Sequence, residues 1–288
     1  MVEIMFNADL PIESEDADKL NRVKFATELS SCIKSYNNNE CLTIGIMGEW
    51  GSGKTSIINL VREQLKKHNE KTPNDVKIIE FNPWYFSCQN NLLYQFFNIL
   101  KNKLKDNKEI LSKITQYYKK IISNYEISTG MKIPYLNIQI SKIHNESKDT
   151  MDSIMKIKED INDKSEKLND KLLIIIDDID RLTDDKIKQI FILVKSLADF
   201  SNIIYILSFD KKAVLKSLKS LHNYSPELFL DKIIQVMIDI PKPRKYDIYN
   251  CIKQYIFELF EKDNNIHKID LVNMINDYLI FFLIILEI

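Results

Sequence analysis

The 288-residue chain has five glycines, where average usage of ~7% would give about 20. Four of them, Gly45, Gly48, Gly51 and Gly53, fall within one nine-residue window. A chain that avoids glycine elsewhere concentrates it where the backbone needs freedom that a Cβ denies. Arginine is scarce too: of 40 basic residues only Arg22, Arg62, Arg181 and Arg244 are arginines, so the place of each is informative. Against 41 acidic residues the net charge is −1. That balance excludes a histone-like binder working by bulk charge and argues against nucleic acid as such a partner. Apolar residues make up 45% of the chain, enough for a sizeable core rather than general disorder.

Cys32, Cys41, Cys88 and Cys251 are scattered, with no CxxC pair. A structural zinc site or a thioredoxin-like motif is therefore not expected. The cysteines read as small buried apolar residues of a cytoplasmic protein. His68, His144, His222 and His267 show no metal spacing. The acidic N-terminus lacks the apolar stretch of a signal peptide. The longest apolar run, Tyr278–Leu286, has nine residues, under half of a bilayer span. Membrane association stays open, but no spanning segment is expected. This run reads either as a buried final helix or as the start of something longer, with the segment after residue 244 then an incomplete helical lid.

Five continuous apolar runs alternate with helical periodicity. Cys41–Met47, Val76–Phe81, Lys171–Ile176, Ile203–Phe209 and Lys232–Ile240 read as strands. Helices are expected at Asp16–Tyr36, Lys54–His68, Gln89–Leu104, Asp184–Ala198 and Lys211–Ser220. Unbroken apolar strands alternating with helices predict an α/β fold with a parallel sheet covered on both faces. The division expected is a helical lead-in over 1–40, a core over 41–244 and helices over 245–288. Within the core, about 105–170 is Lys/Asn/Glu-rich and reads as a helical insertion (Ile110–Ile122, Met151–Leu168), with a small hairpin around Pro134.

The glycine window contains Gly48-Glu49-Trp50-Gly51-Ser52-Gly53-Lys54-Thr55, followed by Ser56. It matches G-x-x-x-x-G-K-[ST] in full, between an expected strand and an expected helix. In such a loop successive N–H groups wrap a phosphate, and the helix N-terminus adds positive potential. Lys54 would reach the β- and γ-phosphates and Thr55 would put its hydroxyl on Mg²⁺. A carboxylate is then needed on a neighbouring strand. Leu172–Ile176 ends in Asp177-Asp178. Asp177 is the expected metal-side carboxylate. Asp178 either orients or deprotonates an attacking water, or caps the following loop. Arg181 either contacts phosphate or pairs with Asp178 or Asp180.

If Ile203–Phe209 inserts between the two motif strands, the five-stranded sheet has the order 5-1-4-3-2 of ATPase-type P-loop folds. Ser208 or Asp210 would then sense the γ-phosphate, unless it caps the Lys211 helix. Trp50 either packs in the loop or stacks on the nucleotide.

These segments together resemble the KAP family of P-loop NTPases. The resemblance rests on Gly45–Ser56 with Trp50 inside the loop, Phe81-Asn82-Pro83-Trp84, Asp177–Leu182, Ser208-Phe209-Asp210, and Leu230–Gln235 leading to Ile240-Pro241. It implies an ATPase-type core with an Mg-ATP site built on the loop and the Asp177-Asp178 pair. Many members carry transmembrane helices between the second strand and the acidic strand; Cys88–Asp170 has no long apolar run. Bacterial relatives are linked to plasmids, phage exclusion and other defence. ATP over GTP follows from this kinship and from the lack of an Asn-Lys-x-Asp motif.

The sequence is compatible with three functions: an ATP hydrolase driving a conformational switch, a nucleotide-binding scaffold or switch with negligible turnover, and a nucleic-acid motor or clamp. A nucleotide-linked homo-oligomer is a further expectation, with Arg181 and Arg244 the only arginines beyond the acidic strand.

Overall fold

A computed structural model describes residues 10–38, 40–69, 76–87, 92–104, 108–129, 147–166, 171–197, 199–219 and 225–260. The strands are β1 (Leu42–Met47), β2 (Val76–Phe81), β3 (Lys171–Ile176), β4 (Ile203–Phe209) and β5 (Val236–Asp239). All pair in parallel, in the order β2-β3-β4-β1-β5. Read from the other edge, this is the 5-1-4-3-2 order: β4 does insert between the strand before the glycine loop and the strand ending in Asp177. The central strands are predominantly apolar, with Thr43 and Ser208 as buried polar exceptions, and all seven residues of β4 are buried.

Alternate residues feed two cores, as the period of two requires. Ile44, Ile46, Leu173, Ile175, Ile204 and Ile206 point to one face. There α1 (Val23–Ser35) supplies Ala26, Leu29 and Ile33, and α2 (Lys54–Asn69) supplies Ile57, Leu60, Val61 and Leu65. Ile174, Ile176, Tyr205, Leu207 and Phe209 point to the opposite face. They meet α3 (Leu92–Lys103), α6 (Asp184–Ile192), α7 (Lys211–Leu218) and α8 (Pro226–Ile233).

The insertion forms α4 (Lys108–Thr129) and α5 (Ser147–Glu166). It is part of the second core rather than an appended arm: Ile110, Ile114, Tyr117, Ile157 and Ile161 belong to the same apolar cluster. The segment before β4 is its anchor. The Tyr117 ring meets Phe200 edge-on at 5.3 Å. The Ser201 N–H donates to Asn162 Oδ1 (3.0 Å), and Asn202 Nδ2 donates to the Ser165 carbonyl (2.9 Å). Asn202 sits at φ 63, a left-handed conformation that asparagine tolerates better than most residues.

Several expectations are corrected. The helix expected from Asp16 begins only at Val23. The Asp18 carboxylate accepts the N–H groups of Leu20, Arg22 and Val23, and Asn21 turns to φ 57, so local side-chain bonding wins over helix. The fifth strand is shorter than Lys232–Ile240. Ser225 accepts from the Leu228 N–H, and Pro226 opens α8, which carries the chain through Ile233. The helix expected to Ala198 stops at Ile192 and widens into a π turn over Leu193–Leu197. Cys32 is exposed rather than buried, whereas burial beside Asp199 pushes the Cys41 thiol up to about 12. The hairpin around Pro134 and the apolar run at 278–286 lie outside the described residues. Among those that are described, no helix is long and apolar enough to cross a membrane.

Because Phe200 ties the insertion to β4, Phe200→Ala should cost about 3–5 kcal/mol. Urea unfolding should register the loss, and amide exchange should accelerate first in α4 and α5.

Candidate functional site

In a parallel sheet of this kind the ligand crevice opens at the carboxyl ends of the strands, where the strand order reverses. β1 lies at that point, between β4 and β5. The glycine loop leaves its end. The Gly48 N–H donates to the Phe209 carbonyl (3.2 Å), so the loop starts pinned to β4. A turn follows, with Ser52 N–H donating to the Glu49 carbonyl (3.1 Å), and α2 begins with Ile57 N–H donating to the Gly53 carbonyl (3.0 Å). Gly51 and Gly53 take φ 78 and 89, which other residues adopt only with strain.

Lys54 is largely buried. Its ammonium donates to the carbonyls of Gly48 (2.9 Å) and Glu49 (3.2 Å) and lies 3.7 Å from Asp180 Oδ2. The Thr55 hydroxyl donates to Asp177 Oδ2 at 2.8 Å, joining loop and acidic strand across 122 positions of sequence. The other Asp177 oxygen accepts the Asp178 N–H (2.9 Å). Asp178 itself is left-handed, at φ 59 and ψ 33, a conformation that costs a non-glycine residue about 1–3 kcal/mol and concentrates at functional sites. Its carboxylate is held from both sides: Asn82 Nδ2 donates to Oδ2 at 2.9 Å, and Arg181 Nε lies 2.7 Å from Oδ1. Arg181 thus takes the salt bridge with Asp178. Its guanidinium also lies 5.6 Å from the centre of the Trp50 ring. Trp50 is 83% exposed, so it is not a packing residue.

The two sensor candidates separate. Asp210 is the N-cap of α7, accepting from the Lys212 and Ala213 N–H groups. Ser208 is fully buried and its hydroxyl has no partner. It pairs in register with Ile46 and lies one residue beyond the Ile176–Leu207 pair, so continued register puts it beside Asp177. Glu49 reaches outward to Lys212 (2.6 Å), and Ser56 accepts the Ile12 N–H (3.3 Å). Arg244 makes a two-pronged pair with Asp247.

Among the described residues, the buried side-chain atoms without a hydrogen-bond partner are Arg22 Nε, Ser52 Oγ, Asp180 Oδ1 and Ser208 Oγ. Ser52 lies in the loop, Ser208 at the end of β4 beside it, Asp180 against Lys54, and Arg22 against Ser52. A buried polar atom left unpaired costs about 1–3 kcal/mol, so such a group at one edge of a sheet marks a place built for something polar. A magnesium ion fits the donor set. No cluster of three or more His, Cys, Asp or Glu suited to a metal occurs among the described residues. One carboxylate and one hydroxyl, the hard oxygens of Asp177 and Thr55, match an ion that keeps waters and takes its remaining ligands from phosphate.

Asn82 and Arg22 have no assigned role in the sequence pattern, and Asp180 enters it only as a partner for Arg181. Asn82 holds Asp178 from the end of β2, where its Asn-Pro-Trp context was the available signal. Asp180 faces Lys54. Arg22 touches the loop from a distant segment, and only the scarcity of arginine pointed to it.

The chain is 23% identical over 282 residues to the phage T7 exclusion protein of Escherichia coli (strain K12), with 89% of this chain aligned. It spans 38% of the length of that curated relative. Among solved structures it is similar to the ORC2 protein of Aeropyrum pernix in its ADPNP-ADP complexes (14% identity, TM-score 0.41, 88% of this chain and 55% of that one). It is also similar to the Cdc6p protein of Pyrobaculum aerophilum (14% identity, TM-score 0.42, 82% and 49%). The model of the KAP family P-loop domain matches residues 22–283, and the chain belongs to that family.

Proposed function

We propose that the chain binds Mg-ATP and hydrolyses it, driving a conformational switch that serves defence against phage. The observation that carries the reading is the Thr55–Asp177 hydrogen bond, with Lys54 beside it. It brings a phosphate-loop hydroxyl and a strand-end carboxylate together at one point. Gly48, Glu49, Trp50, Gly51, Ser52, Gly53 and Ser56 complete the loop and the first turn of its helix; the loop amides cradle the phosphates. Lys54 would exchange its loop carbonyls for phosphate oxygens. Thr55 and Asp177 would hold Mg²⁺, which when bound neutralises charge on the phosphates. Ser208 would give its hydroxyl to a phosphate oxygen or to the attacking water.

Asp178 is the general base in this reading. Each carboxylate oxygen has a second lone pair beyond those used by Asn82 and Arg181, so a water can donate to it and be aimed. The bonds from Asn82 and Arg181 fix the orientation of this carboxylate. Trp50, stacked on Arg181, would carry a change in the loop to that partner. A nucleotide switch with negligible turnover is the second reading, and it is favoured by this double restraint on Asp178. The defence setting rests on kinship with the phage T7 exclusion protein.

Lys54→Ala should weaken Mg-ATP binding about tenfold to a hundredfold, as befits loss of a charge-assisted contact. Titration calorimetry checks it, and parental affinity in the variant would remove the loop from the site. Asp178→Asn should leave that affinity close to parental while turnover falls about 10²–10⁴-fold. A single-turnover phosphate-release assay separates the two readings, because a switch without turnover shows no drop. In a susceptible host, expression should lower phage plating efficiency, and Lys54→Ala should restore it.

A further inference from the structure

A segment of chain ahead of α1 runs along α2, the helix that follows the phosphate loop. The Ile12 N–H donates to Ser56 Oγ, and Asn59 Nδ2 donates to the Ile12 carbonyl (2.9 Å). Glu15 is tied to Gln64 (2.9 Å) and Lys67 (2.6 Å). The segment is thus fastened along α2, and it ends at Arg22, where Asp18 holds the backbone N–H (2.6 Å).

Arg22 is only 7% exposed. Its Nη1 donates to the Ser52 carbonyl at 2.5 Å, and its Nη2 lies 3.5 Å from the Pro241 carbonyl beyond β5. Nε has no partner. Burial pulls the guanidinium pKa down, opposed by the charge of Asp18. No carboxylate lies within ion-pair distance of Arg22 among the described residues. A Cβ at Gly53 would collide with the guanidinium. The φ of 89 favours glycine at that position, and a side chain there would also displace the guanidinium seated against it.

The Ser52 carbonyl and the Gly53 N–H belong to one planar trans peptide, so they point in opposite directions. A cation that grips the carbonyl from outside aims the N–H inward. It also polarises that N–H, because hydrogen bonds in series strengthen one another. We infer that Arg22 is a positioning residue for the nucleotide site, fixing the Ser52–Gly53 peptide so that the loop is preformed for phosphate. The inference rests on the Mg-ATP reading above and deepens it. It also gives the buried cation its counter-charge, the polyphosphate on the far side of the loop. Through Pro241 the same guanidinium links the loop to the chain leading into α9 (Lys245–Phe260).

The test is calorimetric titration of the full chain with Mg-ATP and Mg-ADP, alongside thermal unfolding without nucleotide. Arg22→Ala should weaken both nucleotides about tenfold or more, the scale of a hydrogen bond to a charged group. Millimolar guanidinium chloride should restore most of that affinity where equal sodium chloride does not. Arg22→Lys, which keeps the charge but not the two-carbonyl fork, should fall between. Parental affinity in a folded Arg22→Ala protein overturns the inference. So does a loss that guanidinium fails to rescue and that tracks a lower melting temperature. If Arg22→Ala does not fold, Arg22→Lys decides, and parental affinity there overturns it equally. Absence of nucleotide binding by the parent would sink the Mg-ATP reading and this inference with it. Binding by the parent that is lost in Lys54→Ala but not in the Arg22 variants would sink this inference alone.

Discussion

The whole site depends on where β4 lies. Parallel pairing of β1 with β4 and of β4 with β3 puts three strand ends side by side at one edge. The first releases the phosphate loop, the second ends near Ser208 and the third delivers Asp177. With β3 next to β1 instead, no serine would stand between the loop and Asp177. The spacing of one intervening strand lets a threonine hydroxyl at the start of α2 reach a carboxylate on β3 at 2.8 Å. The apolar interior of β4 is what keeps it there: seven consecutive buried residues leave no face for water, which suits only a central strand.

Stability and function pull in different directions at that edge. Elsewhere the described residues pair their buried polar side-chain atoms, as folded proteins generally do. The exceptions surround the loop, and the left-handed Asp178 stands beside them. Among the described residues the local cost of unpaired polar groups is thus concentrated at this one edge. Lys54 stands at the same edge, its ammonium resting on the carbonyls of Gly48 and Glu49 and near Asp180.

Much of this was legible in the sequence. The five apolar runs and the glycine loop specify their own local structure, and the 5-1-4-3-2 order was conditional on Ile203–Phe209 inserting between the motif strands, as β4 does. The Asp177-Asp178 pair followed from the chemistry that such a loop requires. What was not legible depends on contacts distant in sequence. Arg22 reaches Ser52 over 30 positions, and Asn82 reaches Asp178 over 96; no local period records such meetings. Boundaries failed where a side chain outcompeted the backbone pattern. Asp18 took the N–H groups that a longer α1 would have used, and Ser225-Pro226 began a helix inside what read as the approach to a strand. Apolar content alone could not tell the end of α8 from the start of β5, because Ile233 and Ile234 are buried in either element.

The insertion limits which parts of this fold are free to move independently. Its helices share the second core with β3 and β4 and grip the residues that lead into β4. Ser208 lies at the other end of that same strand. A strand with every side chain packed does not deform smoothly; packed cores shift between discrete arrangements. A change in what Ser208 touches would therefore reach the insertion as a shift of β4 against its neighbours, or not at all. The Asn82–Asp178–Arg181 chain is a softer route. Its groups are hydrogen-bonded rather than packed, and it ends on an exposed tryptophan. Of the two paths from the nucleotide edge to the surface, this second one can rearrange without disturbing the core.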